Sequence, residues 1–149
     1  MKIVIGCDHA GFHLKEVLIQ YLSKREWKVI DLGAPSAESV DYPDFVHPLA
    51  SQIDKGYFEK GILLCGSGNG VAITANKYSN VRCGLCWNSA VAALIRKHNN
   101  ANILALPARF VTDEAAKKIV DSFLNTEFEG GRHRRRVDKI TKPQDLYCQ

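Results

Sequence analysis

The sequence has no hydrophobic run long enough to cross a membrane. A membrane-spanning helix needs about 20 consecutive apolar residues, whereas every apolar stretch here is interrupted after a few residues. The first run ends at Asp8, before it could form the core of a signal peptide. We therefore expect a cytoplasmic protein that does not act at a membrane.

The cysteines do not follow the pattern of a disulfide-stabilised protein. Their number, five, is odd, and Cys7, Cys65, Cys83 and Cys86 lie in apolar surroundings, which favours reduced, buried thiols. Cys83 and Cys86 form a lone C-x-x-C. On a strand, their odd separation places the side chains on opposite faces, unlike the ligands of a zinc or redox site. We expect no metal or redox centre at this motif.

Two nucleotide-binding signatures are also incomplete. The glycine-rich segment "CGSGNG" at 65–70 is followed by Val71 and Ala72, where a P-loop requires Lys and then Ser or Thr. A dinucleotide fingerprint requires an acidic residue about 20 positions further on, but Cys86 and Trp87 are found there. The segment is therefore a poor match to both nucleotide sites.

Positive charge is concentrated near the end of the chain. The formal net charge is only +4, and an equal charge lies within five residues, on Arg132, Arg134, Arg135 and Arg136. Local basicity without neighbouring aromatic residues favours a small anionic ligand over a nucleic acid partner. A solvated charged face is the alternative. If this segment is helical, Arg132 and Arg136 are neighbours that can grip one phosphate.

The hydrophobic pattern predicts one doubly wound α/β domain over residues 1–149. Short, β-branched-rich apolar runs alternate with amphipathic segments of helical period, and each connection is long enough for a crossover helix. We expect the strands to be parallel and buried on both faces; they are "KIVIGCD", "WKVIDLG", "KGILLCG", "RCGLCW" and "NILALPA". Gly130 and Gly131 should break the last long helix. A basic C-terminal segment and tail, 131–149, with a short extra helix, follows.

Reactive side chains follow several of these strands. Ligands of open parallel sheets bind beyond the carboxyl ends of the strands, where Asp8, His9, Cys65 and Arg109 are expected. Gly66, Gly68 and Gly70 would let several N–H groups point into one concavity, an anion cradle. A thiolate of Cys65 beside that cradle could remove a proton next to a carbonyl, and the amides would stabilise the resulting enediolate. A buried cysteine beside an ordinary glycine turn is an equally good interpretation.

Two further positions have both a structural and a functional interpretation. Asp8 can cap the helix that follows it, or serve as an acid next to a phosphate-binding His9. His98 extends an inward-facing stripe at the C-terminal end of a helix, as a core histidine or as a cationic group favoured by the helix dipole. Asn99 and Asn100 are most simply helix-capping residues.

Five motifs in this order resemble one enzyme family. They are "GCDHAG" after the first strand, "DYPDF" at 41–45, "CGSGNG", "RKHNNANILAL" at 96–106 and "EGGRHRRRV" at 129–137. The chain resembles the type B ribose-5-phosphate isomerases, which share a family with the subunits of galactose-6-phosphate isomerase. The resemblance implies a three-layer α/β/α, Rossmann-like domain with a five-stranded parallel sheet. It also implies a homodimer, in some members a tetramer, with active sites shared between subunits.

The activity implied by the resemblance is the interconversion of D-ribose 5-phosphate and D-ribulose 5-phosphate, without a metal or an organic cofactor. Cys65 would be the base that shuttles a proton between C1 and C2, and the Ser67 hydroxyl would orient the site. His98 would open the sugar ring with help from Asp8. The residues expected to bind substrate are His9, Tyr42, Gly66, Gly68, Asn69, Gly70, Asn99, Arg109, Arg132 and Arg136.

Two other functions remain open at this point. The same mechanism would serve a hexose 6-phosphate such as allose or galactose 6-phosphate. A non-catalytic module that binds sugar phosphates would keep the cradle and the arginines but would not need the thiol. Pro107 and Ala108 precede Arg109 where glycine is frequent in the family, so the reach of Arg109 is a further question for the structure.

Overall fold

The computed structural model describes residues 1–140; the predicted tail beyond residue 140 lies outside the described residues. The strands are β1 (Lys2–Cys7), β2 (Lys28–Asp31), β3 (Gly61–Cys65), β4 (Cys83–Leu85) and β5 (Ile103–Pro107). The helices are α1 (Phe12–Ser23), α2 (Tyr42–Asp54), α3 (Asn69–Ala75), α4 (Ser89–Asn99), α5 (Asp113–Asn125) and α6 (Arg132–Ile140). Each predicted strand is present, which confirms the alternating pattern.

All strand pairs are parallel, in the order β2-β1-β3-β5-β4. Side chains alternate between two apolar layers. One layer joins Ile3, Ile5 and Ile62 to helices α1, α4 and α5, and the other joins Val4 and Leu63 to α2 and α3. The architecture is therefore the predicted three-layer α/β/α domain. No helix within residues 1–140 has the length and apolar character required to span a membrane.

Two expectations about burial and helix ends were wrong. The central strands β1, β3 and β5 are buried on both faces, but the edge strands β2 and β4 are only half-buried because each has a neighbour on one side alone. Helix α5 ends at Asn125 rather than at the glycine pair. Gly130 and Gly131 instead adopt positive φ immediately before α6, the predicted extra helix.

The sheet order places a cleft between β1 and β3. The chain moves outward from β1 to β2 and then returns past β1 to β3, so the helices that follow β1 and β3 cover opposite faces. Such a reversal leaves a crevice at the carboxyl ends of the two strands. The segments after Cys7 and Cys65 meet there.

Candidate active site

An open cleft of about 460 Å³ lies at this reversal. It brings together eight of the predicted site residues, contributed by the ends of β1, β3 and β5 and by the start of α2. They are Asp8, His9, Tyr42, Cys65, Gly66, Ser67, Gly70 and Arg109. Phe110 completes one wall.

Cys65 is the last residue of β3 and is 5% exposed. Its Sγ accepts a hydrogen bond from the backbone N–H of Gly68 at 3.1 Å. The backbone of Gly68 therefore holds the sulfur at the edge of the cleft and presents a dipole to it.

The loop around Cys65 depends on the conformation of Gly68. Gly68 has a φ of 77°, the left-handed region, and an added Cβ would collide with Leu85 Cδ1 and lie 3.2 Å from the backbone of Pro107. A side chain at this position is therefore strained by both conformation and space. Glycine here is what lets the chain turn back under Cys65.

Three amides of the loop remain available to a ligand. Within residues 1–140, the N–H groups of Gly66, Ser67 and Gly70 make no hydrogen bond. Gly68 N–H is directed at the sulfur instead, whereas Gly66, Ser67 and Gly70 line the cleft. Asn69 donates twice to Ser67 Oγ, from its backbone and its side chain, both at 3.3 Å. The Ser67 hydroxyl proton is left free to donate.

The segment after β1 positions Asp8 and His9. Asp8 Oδ1 accepts from the N–H groups of Ala10 at 2.9 Å and Gly11 at 3.1 Å, so the capping interpretation is confirmed, and Asp8 also lines the cleft. Val40 donates its N–H to His9 Nδ1 at 3.2 Å. The same nitrogen lies 3.3 Å from Val40 O, so the backbone of Val40 holds Nδ1 and leaves Nε2 directed away from it.

Arg109 and Tyr42 reach the cleft from other elements. Hydrogen bonds from Ala108 N to Cys65 O (2.9 Å) and from Arg109 N to Gly66 O (3.0 Å) extend the pairing of β5 with β3 past the strand ends. The Arg109 side chain lies against Gly66, and the Tyr42 ring lies against Gly70. Pro107 and Ala108 thus do not prevent Arg109 from reaching the cleft.

Four predicted site residues lie elsewhere in the chain. His98 and Asn99 end α4, whereas Arg132 and Arg136 are exposed on α6, which packs on α4. A helix between parallel strands runs back toward their amino ends, so its last turn lies one strand length from Cys65, on the order of 15 Å for five residues. Within one chain these residues do not meet the thiol.

His98 instead lies against His133, which none of the sequence motifs singles out as a site residue. The two rings stack with centroids 4.2 Å apart and an interplanar angle of 9°. Glu129, His98 and His133 have potential ligand atoms within 4.8 Å of one another. A metal ion bound to imidazole lies in the plane of the ring. The planes of two parallel stacked rings do not coincide, so one ion cannot lie in both. One ring must turn before these residues can hold a metal.

Of the other described cysteines, Cys7 and Cys86 are buried and Cys83 is half-buried. Burial raises the pKa of Cys7 to about 11 and that of Cys86 to about 12, and burial also raises the pKa of Cys83. Cys86 and Cys83 pack in opposite apolar layers. This confirms that the C-x-x-C sends its side chains to different faces.

Residues 3–140 match the Ribose/Galactose Isomerase family. The chain belongs to this family. As a member of the Ribose/Galactose Isomerase family, it is 44% identical to ribose-5-phosphate isomerase B of Escherichia coli over 140 residues, covering 94% of each chain.

Solved structures of family members have the same fold. The structure of ribose-5-phosphate isomerase B from Clostridium thermocellum matches with a TM-score of 0.93 at 48% identity, over 95% of both chains. The enzyme from Mycoplasma genitalium, with bound ribulose 5-phosphate, matches with a TM-score of 0.90 at 45% identity, over 94% of this chain and 93% of that one.

Proposed function

We propose that the protein is a ribose-5-phosphate isomerase that interconverts D-ribose 5-phosphate and D-ribulose 5-phosphate. The observation that carries the proposal is the position of Cys65 Sγ in the cleft, 3.1 Å from Gly68 N. Beside it lie the amides of Gly66, Ser67 and Gly70, which have no hydrogen-bond partner in the part of the chain that the structure describes. The names of its relatives in the Ribose/Galactose Isomerase family support the same substrate pair.

The loop suits proton transfer between neighbouring carbons. In the aldose-to-ketose direction the Cys65 thiolate takes the proton from C2, and the electron pair of that C–H bond forms the C1–C2 double bond while O1 becomes negative. The free amides stabilise that oxygen, and removal of such donors typically lowers the rate by about 10²–10³-fold. The thiol then returns its proton to C1 using the electron pair of the C1–C2 double bond. The hydroxyl proton of O2 passes to O1, so O1 becomes a hydroxyl and O2 becomes the ketone oxygen. Ser67 orients the enediolate.

The cleft also contains groups for the phosphate. The backbone of Val40 holds His9 Nδ1, which leaves Nε2 for a ligand, and the Arg109 guanidinium lies over Gly66. Both side chains can donate to phosphate oxygens. Tyr42 lies along the sugar, and Asp8 assists His98 in ring opening.

We propose further that the active site is completed by a second copy of the chain. Ring opening is assigned to His98, sugar binding to Asn99, and phosphate binding to Arg132 and Arg136. Helices α4 and α6, however, carry these residues away from the carboxyl ends of the strands, where the cleft lies. A twofold dimer would place the last turn of α4 from one subunit over the cleft of the other. Sedimentation velocity distinguishes such a dimer from a tetramer of paired dimers.

Exposed apolar side chains support this arrangement. Phe110, which lines the cleft, is 75% exposed, and Ile73 and Trp87 are also largely exposed. Exposed apolar residues that border a site mark surfaces that other chains cover. Coverage by a partner would also exclude water from the cleft.

We place the enzyme in the cytoplasm. Cys7, Cys65, Cys83 and Cys86 are all free thiols, as expected in a reducing compartment.

The first test is turnover by the purified protein with a chelator present. We expect ketose formation from ribose 5-phosphate, with kcat/KM at least about tenfold higher than for allose 6-phosphate or galactose 6-phosphate. A higher kcat/KM for a hexose phosphate would keep the chemistry and change the substrate. Binding of these compounds without turnover of any would contradict the proposal and favour a sugar-phosphate-binding module.

Gly68→Ala tests the loop beneath the thiol. We expect it to lower the free energy of unfolding by about 1–3 kcal/mol because of its positive φ, and to lower kcat for ribose 5-phosphate at least about tenfold as the N–H leaves the sulfur. Urea unfolding and steady-state kinetics measure the two effects.

Gly56→Ala is the matched control for Gly68→Ala. Gly56 has a φ of 76°, and an added Cβ would have no atom within 4 Å, so the same backbone strain occurs far from the cleft. It should lose stability and keep kcat. An equal loss of kcat in both variants would show that stability alone explains the effect.

A further inference from the structure

The stacked pair formed by His98 and His133 lies outside the cleft. His98 belongs to the last turn of α4 and His133 to the first turn of α6. Their rings are almost parallel, 9° apart, with centroids separated by 4.2 Å. This separation is that of direct face-to-face contact, so the plane of one ring limits the plane of the other.

Burial of His133 is unusual for its helix. Helix α6 is rich in arginine, and of its residues only His133 and Val137 are buried, four positions apart on the side that packs on α4. His133 is 6% exposed. Burying imidazole rather than an aliphatic side chain requires partners for its nitrogens, so packing alone does not explain histidine here.

The polar contacts of His133 favour its neutral form. Arg132 Nε donates to His133 Nε2 at 3.4 Å, which requires a lone pair on that nitrogen. Glu129 Oε2 lies 3.7 Å from the same nitrogen. Burial, the neighbouring His98 and the charge of Arg132 lower the pKa of His133. A neutral ring can remain flat against His98 when His98 carries or exchanges a proton.

We propose that His133 is a positioning residue for ring opening, because its buried face fixes the plane of the His98 imidazole. The proposal rests on the proposed function, in which His98 exchanges a proton with the ring oxygen of the sugar. Proton transfer depends on alignment, and a displacement of about 1 Å can lower a rate about 10²-fold. His133 does not need to touch the substrate.

The two substrates of the reaction separate ring opening from proton transfer. Ribose 5-phosphate closes to a furanose through O4, whereas ribulose 5-phosphate cannot form a five- or six-membered ring because O5 carries the phosphate. A defect in ring opening therefore slows the use of ribose 5-phosphate. Net formation of ribose 5-phosphate slows by the same factor, because the equilibrium constant fixes the ratio of the two kcat/KM values. Exchange of the C1 hydrogen of ribulose 5-phosphate with solvent is not slowed, because it needs only proton transfer and no ring.

The experiment compares two rates for His133 variants of the full chain: turnover of ribose 5-phosphate, and exchange of the C1 hydrogen of ribulose 5-phosphate in D2O. For His133→Leu we expect kcat/KM for ribose 5-phosphate to fall about 10- to 100-fold, while the exchange rate stays within about threefold of the parent value. His133→Phe keeps a flat ring and should retain most of the turnover of ribose 5-phosphate. If His133→Leu does not fold, His133→Gln removes the ring and should show the same difference between turnover and exchange.

Val137→Ala is the control for the packing of α6. Val137 is buried on the same side of that helix, so its truncation loosens the contact with α4 but leaves the ring of His133. The ratio of turnover to exchange should not change. Equal losses of turnover and exchange for His133→Leu, or a loss of turnover in His133→Phe as large as in His133→Leu, would overturn the proposal. An inactive parent protein would instead refute the proposed function.

Discussion

Cys65→Ala should lower kcat/KM for ribose 5-phosphate by about 10³-fold or more, because the substitution removes the group that we propose moves the proton between C1 and C2. The residual rate should be insensitive to thiol reagents. The Gly68 N–H, which contacts Sγ in the parent protein, would remain in the loop, so substrate binding should change much less than turnover. Steady-state kinetics and calorimetric titration of ribose 5-phosphate measure the two quantities.

Two control variants separate the role of Cys65 from a general need for cysteine. Cys65→Ser replaces the thiol with a hydroxyl of similar size, which is a far weaker acid. This variant should be nearly as inactive as Cys65→Ala. Cys86→Ala truncates a fully buried thiol distant from the cleft. It should lower stability and keep kcat. Full activity of Cys65→Ser would contradict a thiolate base.

Alkylation reports on the same thiol directly. At pH 8, Cys7 and Cys86 remain protonated because burial raises their pKa values to about 11 and about 12, and only the thiolate reacts. Burial also raises the pKa of Cys83. Iodoacetamide should therefore label Cys65, which lines the cleft, before Cys7, Cys83 and Cys86, and ribose 5-phosphate should slow the labelling. A Cys148→Ser background removes the cysteine that lies beyond the described residues. Preferential labelling of Cys7 or Cys86 would contradict the assignment.

Mixing two inactive variants should restore activity if the active site is shared. In a heterodimer of Cys65→Ala and His98→Ala chains, one site combines both substitutions and the other combines the intact Cys65 of one subunit with the intact His98 of its partner. Random pairing makes half of the dimers heterodimers, so we expect about one quarter of the parent activity. Subunits are exchanged by co-refolding, and turnover of ribose 5-phosphate is then measured.

The matched control for this mixture uses two residues of the same cleft. Cys65 and Arg109 both line it within one chain, so a mixture of Cys65→Ala and Arg109→Ala contains no site with both residues intact. The activity of this mixture should remain at the level of the two variants measured separately. If the mixture with His98→Ala also gains nothing after subunit exchange is verified by mass spectrometry, the shared site is wrong.

The order and type of the elements follow from the sequence alone. The five apolar runs are short and β-branched, and the segments between them have helical period, so local pattern and burial favour the same assignment at each position. The local structure of segment 65–70 also follows from its sequence, because a cysteine at a strand end followed by spaced glycines places a thiol beside backbone donors. Asp8 as a cap was likewise predictable, since its partners are two and three residues away.

Other features depend on contacts between segments distant in the sequence. The half-buried β2 and β4 result from their places at the sheet edges, which no local pattern specifies. Contact of His133 with His98 requires α6 to dock on α4. The spacing of His133 and Val137 among arginines is the one sequence signal that could have indicated a buried face there.

The sequence by itself determined which chemical groups the protein has and at which strand ends the first of them lie, because side-chain period and turn residues act over a few positions. Only the tertiary structure decided that Asp8, His9, Tyr42, Cys65 and Arg109 share one cleft while His98 and Arg132 lie away from it. The physical reason is the geometry of the parallel sheet. The carboxyl ends of strands from distant segments converge on one side, and each connecting helix ends near the amino ends of the strands, on the opposite side.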